Sequence, residues 1–245
     1  MKKLSLVLLL LITSLGSLSS QESEFTISTS YNNLLSNRSR TGMLDRIMIE
    51  AFQRLNMKAQ LVFTPTEKSL VDVNAGLLDA ELNRIEGMEK MYSNLVRVPE
   101  PNMTMYFVAF SRRNIEIDGW DSIRDLNIGI VKGWKILENN TRDFPNVVLV
   151  PTEKELFNML RKDRLDVALY SKLTGYAVLQ DLDYDNEGIR HLEPPLASRD
   201  MFLYVHKSHA ALTDDIASAI RSLKTDGTYD RIVEEAVSPY FSNPE

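Results

Sequence analysis

A strand–helix–strand unit that occurs twice constrains this chain more than any other feature. The first copy runs Leu61-Val62-Phe63-Thr64-Pro65-Thr66-Glu67-Lys68-Ser69-Leu70 and continues to Leu78-Asp79-Ala80-Glu81-Leu82-Asn83. The second runs Val147-Val148-Leu149-Val150-Pro151-Thr152-Glu153-Lys154-Glu155-Leu156 and continues to Leu165-Asp166-Val167-Ala168-Leu169-Tyr170. Each reads as an apolar strand, a Pro-Thr-Glu-Lys turn, a helix and a second apolar strand. Thr66 and Thr152 stand where an N-cap belongs, and Glu155 completes a capping box with Thr152. Continuous apolar strands joined through a helix imply a parallel sheet covered by helices. Two copies with other material between them imply two similar α/β lobes.

The first residues have a different purpose. Lys2 and Lys3 precede an apolar stretch, Leu4 to Ile12, that is too short to span a bilayer, and Ser17 and Ser19 then offer small residues ahead of Ser20. This pattern predicts a secretory signal peptide over residues 1–19 and a periplasmic protein. Its two lysines leave with it, so the mature chain is more acidic than the −6 of the full sequence. An acidic chain is a poor nucleic-acid binder, and nucleic acid is not expected as a partner. The absence of Cys excludes disulfides and thiol chemistry, so packing must carry the stability.

The remaining elements follow in order. Phe25 to Thr29 reads as a strand and Tyr31 to Arg40 as a polar loop. Met43 to Leu55, behind Gly42, is an amphipathic helix with Asn56 as its stop. Glu86 to Pro101 reads as a long polar connection. Met105 to Phe110 is a strand, and Leu126 to Val131 opens the second unit at Gly133. Phe202 to Val205 is a further strand, followed by helices at about 214–225 and 228–236. The strands Tyr106–Phe110 and Phe202–Val205 bracket the middle of the chain, so the chain crosses to a second lobe and returns. The expected division is lobe 1 over 20–109 and 201–245 and lobe 2 over 110–200. Two crossings form a hinge that permits closure on a ligand.

The order of these elements resembles the family 3 extracellular solute-binding proteins, the periplasmic receptors of polar amino acid transporters and their sensor relatives. The resembling residues are Ala75-Gly76-Leu77-Leu78-Asp79-Ala80, Arg84, and Tyr92-Ser93-Asn94-Leu95-Val96-Arg97-Val98-Pro99. Further on they are Ile128-Gly129-Ile130-Val131-Lys132-Gly133, Leu165-Asp166-Val167-Ala168, Leu203-Tyr204-Val205-His206-Lys207 and Lys224-Thr225-Asp226-Gly227-Thr228-Tyr229. The resemblance implies two α/β lobes joined by two strands, with a solute in the cleft. The chain departs from the family's ligand residues. Met91 stands where the family's carboxylate-clamping Arg would be, Ser171 at its second-lobe carboxylate, and Trp134 and Lys135 at its hydroxyl pair.

Ligands of open α/β sheets bind beyond the carboxyl ends of the strands. That rule selects Tyr31 after the first strand, Asn83 and Arg84 after the first copy, Trp134 and Lys135 after the lobe-2 opening strand, and Tyr170 and Ser171 after the second copy. Arg84 and Ser171 follow equivalent strands and are expected to face each other. Arg84 offers a planar fork for a carboxylate or phosphate, or else an ion pair with Glu81, Glu86 or Glu89. Lys135 adds a positive charge or is a solvated surface group. Tyr31, Trp134 and Tyr170 suit stacking on a ligand or packing in a lobe core. His206 and His209 lack an obvious third metal ligand, and the Asp181-x-Asp183-x-Asp185 run lacks the glycine and glutamate of a calcium loop. No metal or cofactor is expected.

The reading is therefore a non-enzymatic, monomeric receptor of a small polar, anionic or amino-acid-like solute, serving a membrane transporter or a sensor. The alternative is a dehydratase-like enzyme acting on a cyclic carboxylate in the same cleft, with Glu81 or Glu86 as its acid. Cleavage is expected between Ser19 and Ser20. The intact mass of exported protein checks this, and an amino terminus still carrying Lys2 would refute it.

Overall fold

The computed structural model describes residues 24–184 and 187–241; the leader and its cleavage point lie outside them, as does Asp185. The first half comprises β1 (Glu24–Thr29), α1 (Met43–Arg54), β2 (Lys58–Phe63), α2 (Thr66–Asn74), β3 (Ala80–Arg84) and β4 (Leu95–Arg97). After β5 (Met103–Ser111) come β6 (Ile128–Val131), α3 (Lys135–Asn140), β7 (Val147–Val150), α4 (Glu153–Arg161), β8 (Val167–Ser171), α5 (Lys172–Asp181) and β9 (Arg190–His191). The chain finishes with β10 (Ala197–His206), α6 (Thr213–Thr225) and α7 (Thr228–Phe241).

The duplication is larger than the sequence pattern that announces it. In one half of the sheet the order is β2-β1-β3-β10-β4, and in the other it is β7-β6-β8-β5-β9. In each, a central strand lies parallel to two neighbours, as the two strand–helix–strand units require. In each, an antiparallel strand borders the third: β10 beside β3, and β5 beside β8. The two antiparallel strands also pair with each other, Met103–Phe107 against Ala197–Met201. This ribbon joins the halves. It lies three to five residues earlier along the two strands than the sequence suggests, because residues 108–110 pair with β8 and 202–205 run beside β3. The exposed Tyr106, Ser198, Arg199 and Asp200 interrupt the apolar pattern by which a strand is recognised.

Local chemistry explains most element boundaries. Asn56 takes the left-handed conformation that stops α1, with φ of 55°. Thr152 caps α4, its hydroxyl accepting from the Glu155 amide at 3.2 Å. The first copy differs from expectation: Thr66 is the first helical residue, and Pro65 occupies the cap position, its carbonyl accepting from the Ser69 amide at 2.9 Å. The short β4 and β9 were not legible; each is recruited by the strand it borders.

One buried apolar cluster runs through both halves. It holds Phe25, Ile27, Leu44, Ile47 and Phe52 at one end, Ile128, Ile130, Val167 and Leu169 at the other, and Met103, Met105, Phe107 and Met201 of the ribbon between them. Two smaller clusters lie under α4 and α5 and under α2.

Gly175, inside α5, gives a direct test of packing against propensity. Alanine normally stabilises a helix interior over glycine by about 1 kcal/mol. Here a Cβ would lie 2.4 and 2.5 Å from the Phe110 ring, which is fully buried and packed against Phe157 and Tyr176. Overpacking of this kind costs about 1–3 kcal/mol. Gly175→Ala is therefore expected to lower the urea midpoint; a raised midpoint would show that the ring can move aside.

Candidate functional site

The strand register places the candidate residues. β3 ends at Arg84, opposite Phe202 of β10, and β8 ends at Ser171, opposite Phe107 of β5, itself paired with Ala197. Each strand runs antiparallel to the ribbon strand it borders. Their carboxyl ends therefore point toward each other along the ribbon, offset sideways by its two strands. From Ala197 to Phe202 the separation is roughly 17 Å at the usual strand rise. Both ends have the position at which α/β sheets hold ligands.

On the first half, Tyr31, Asn83 and Arg84 come together. The Asn83 amide donates to the Tyr31 hydroxyl at 3.1 Å. Asn83 is fully buried with φ of 64°, and its side-chain carbonyl has no partner among the described residues. Arg84 is turned inward onto Glu81, which is fully buried, and also lies 3.5 Å from the Ser30 hydroxyl. The Glu81 carboxylate accepts from Ser69, whose hydroxyl is 2.5 Å from that of Ser28. Burial pushes the Glu81 carboxyl up to about 7, against the opposing pull of the Arg84 charge and of hydrogen bonds from Arg84 and Ser28. The ion-pair reading of Arg84 is thus realised with Glu81. Glu86 pairs with Arg97 instead, and Glu89 accepts from the Tyr204 hydroxyl at 3.1 Å. One Arg84 donor, Nε, is buried with no partner among the described residues.

The loop that carries Tyr31 is held by a second buried acid. Asp45 accepts from the Ser36 hydroxyl at 2.6 Å, the Asn37 amide at 3.0 Å and the Gly42 amide at 3.1 Å. A side chain on Gly42 would meet the Ser36 backbone at 2.5 Å, so the loop can close onto α1 only through glycine. On the next loop, the Tyr204 hydroxyl accepts from the Gly87 amide at 3.1 Å and fixes the segment that follows Arg84.

On the second half, Trp134 and Tyr170 pack together with ring centroids 4.7 Å apart, and Trp134 meets Phe107 edge-on at 5.6 Å. Tyr170 is buried, which raises its hydroxyl well above the ordinary tyrosine value; Tyr31, from the other half, lies near enough to add to that rise. Lys135 extends into solvent beside Glu138, with 76% of its side chain exposed. Ser171 is buried at the start of α5.

Two cavities flank the ribbon. One of about 400 Å³ lies on the β5 edge and is mainly apolar, bounded by Met43, Met105, Tyr106, Ser171, Leu173 and Tyr229. The other, of about 600 Å³, lies on the β10 edge beyond Arg84 and is polar, bounded by Glu86, Glu89, Lys90, Arg199, Asp200 and Phe202. Met91 is exposed on that same segment. His206 and His209 do not converge: His209 bonds Asp79 at 2.8 Å and His206 bonds Ser208 at 2.8 Å.

No family model matches the chain. An uncharacterized protein of Shewanella oneidensis is 23% identical over 210 residues, which cover 81% of this chain and 77% of that one. Among solved structures, the L-cystine solute receptor of Neisseria gonorrhoeae in its unliganded open conformation superposes with a TM-score of 0.71 at 17% identity, over 89% of this chain and 94% of that one. An ancestral cationic amino acid solute-binding protein gives 0.70 at 14% identity, over 87% and 95%. A histidine kinase sensor domain with similarity to periplasmic binding proteins gives 0.66 at 15% identity, over 88% and 96%. The chain therefore has the two-lobed α/β fold of the periplasmic binding proteins.

Glu81 sets a stability trend between pH 5 and 8. Its folded value, about 7, lies above the reference of 4.5, so its contribution is full below 4.5 and is lost as pH rises through 7. That loss is at most about 3 kcal/mol. His191, lowered mainly by burial, acts with the opposite sign, and Asp45, raised by burial, with the same sign. The Glu81 part is accordingly the difference between wild type and Glu81→Gln. Urea unfolding is expected to show wild type losing more stability from pH 5 to 8 than the variant does; parallel trends would show that Glu81 titrates as an exposed acid.

Proposed function

We propose that this protein is a periplasmic receptor that captures a small polar solute, anionic or amino-acid-like, by closing its two halves about the β5–β10 ribbon. The supporting observation is a cationic strand end that points along the ribbon toward an aromatic one. Asn83 and Arg84 end β3 and Tyr31 follows β1, while Tyr170 and Ser171 end β8 and Trp134 follows β6. The lobes are the two halves on either side of the ribbon, and bending falls in its paired residues, Met103–Phe107 and Ala197–Met201. Lys135 belongs to the rim of the cleft, where closure brings its charge nearer the solute. The loaded receptor serves an ABC-type transporter or a sensor, the two settings represented among the structural neighbours.

The receptor reading is preferred to an enzymatic one on the placement of Glu81. This acid sits beneath Arg84, fully buried and bonded to Ser69, out of reach of a substrate in the cleft. Incubating the pure protein with cyclic carboxylates and following their conversion tests the choice.

A thermal-shift screen over organic acids, amino acids and amines identifies the solute, since a ligand bound only by the native state raises its stability. Small-angle scattering with the saturating hit is expected to show compaction; an unchanged profile would count against a moving ribbon. Truncating one member of a buried charged pair costs about 2–5 kcal/mol. Arg84→Ala is therefore expected to weaken the hit by roughly thirty-fold or more, and Arg84→Lys to recover only part, because an ammonium lacks the planar fork. Calorimetry below pH 7, where Glu81 is protonated and the variant leaves no buried anion unpaired, checks this; unchanged affinity would remove Arg84 from the site.

A further inference from the structure

We propose that Glu81 couples the capture of an anion at Arg84 to the uptake of one proton. The inference rests on the anion-binding reading of Arg84. It starts from the guanidinium, which bonds Glu81 through one terminal nitrogen and has a buried Nε donor without a partner among the described residues. An anionic group arriving at that donor places two negative charges on one cation, in surroundings where Glu81 has no exposure and the Arg84 side chain only 15%. Two carboxylates sharing such a site do not both stay ionised. A proton from solvent adds to a carboxylate oxygen of Glu81, while the entering anion keeps its charge and takes over the guanidinium.

The surroundings of Glu81 accept both protonation states. The Ser69 hydroxyl donates to the ionised carboxylate. The Ser28–Ser69 contact of 2.5 Å can run in either direction. Once Glu81 is protonated, its O–H donates to Ser69, Ser69 turns to donate to Ser28, and the Ser28 hydroxyl turns to the carboxyl of Glu81.

The titratable and charged groups facing Glu81 are few. On its own strand it faces Arg84, and from the loop after β1 it faces Tyr31. From β10 it is paired with Tyr204, whose hydroxyl is committed to residues 85–89. From β1 and α2 it meets the uncharged Ser28 and Ser69, while Lys68 and Asp72 pair with each other on the solvent side of α2. Burial raises Tyr31 above its ordinary 10.0 and pushes Tyr204 up to about 12, so both stay neutral. Glu81, held near 7 by burial, is the member of this set that changes charge around neutrality.

The test follows the Glu81 side-chain carboxyl of the wild-type protein by carbon NMR across pH, first alone and then with acetate, L-glutamate and inorganic phosphate as anion probes. Alone, the midpoint is expected near 7, and a midpoint near 4.5 overturns the inference whatever binds. With a bound probe, seen as a shift of the Arg84 Nε resonance, the midpoint is expected to rise by about one unit or more. A shifted Arg84 with an unmoved Glu81 overturns the inference and leaves the anion site standing. An Arg84 resonance that no probe moves overturns the anion site and the inference together. As a second readout, the affinity of wild type for acetate or L-glutamate is expected to weaken about five- to tenfold from pH 6 to pH 8 and to stay within about twofold in Glu81→Gln; equal pH dependence in the two proteins would also overturn it.

Discussion

Five residue pairs between β5 and β10, from Phe107 with Ala197 to Met103 with Met201, join the two halves of the sheet. They must be continuous enough to hold one fold and slight enough to bend. The two faces of the ribbon divide these tasks. Met103, Met105, Phe107 and Met201 lie in the apolar cluster that runs from one half to the other. Methionine is unbranched and polarizable, so such a seam can repack as the halves shift. The opposite face is polar, with Thr104 bonded to Asp200 at 2.7 Å beside the exposed Tyr106 and Ser198. Bending there disturbs few buried contacts.

The duplicated strand order brings two equivalent edges to the ribbon, and the chain has made those edges chemically different. The first carries Arg84 over a buried acid, with an amide carbonyl on Asn83 beside it that has no partner among the described residues. The second carries Trp134 against Tyr170 and Phe107. A symmetric fold therefore presents two chemically different strand ends, cationic on one side and aromatic on the other. Such a division suits a solute with one ionised end.

The Glu81–Arg84 pair does not owe its place to stability. Removing two charges from water is costly, and apolar replacements of similar volume are often as stable or more so. A carboxyl held near neutrality, an asparagine at positive φ and a guanidinium with a donor unpartnered among the described residues gather at one strand end. Buried groups left incompletely satisfied are where a fold serves something other than its own packing.

By itself the sequence determined the two strand–helix–strand units, the parallel pairing within each, the cap at Thr152, the stop at Asn56 and the double crossing, because each rests on local spacing or on a single residue's backbone preference. It also marked Tyr31, Asn83, Arg84, Trp134, Tyr170 and Ser171 as strand-end residues, since strand ends follow from the same apolar runs. Only the tertiary structure decided what those side chains do there. Arg84 could have met Glu81, Glu86 or Glu89, all within five residues of it; the irregularity at Asn83, where the strand register shifts, brings Arg84 onto Glu81, while Arg97 draws Glu86 away and Tyr204 engages Glu89. Trp134 and Tyr170 lie far apart in sequence and meet only because β6 and β8 are neighbours. Ser28 and Ser69 carried no signal at all: a hydroxyl becomes part of a proton-accepting network only when the fold buries it beside an acid.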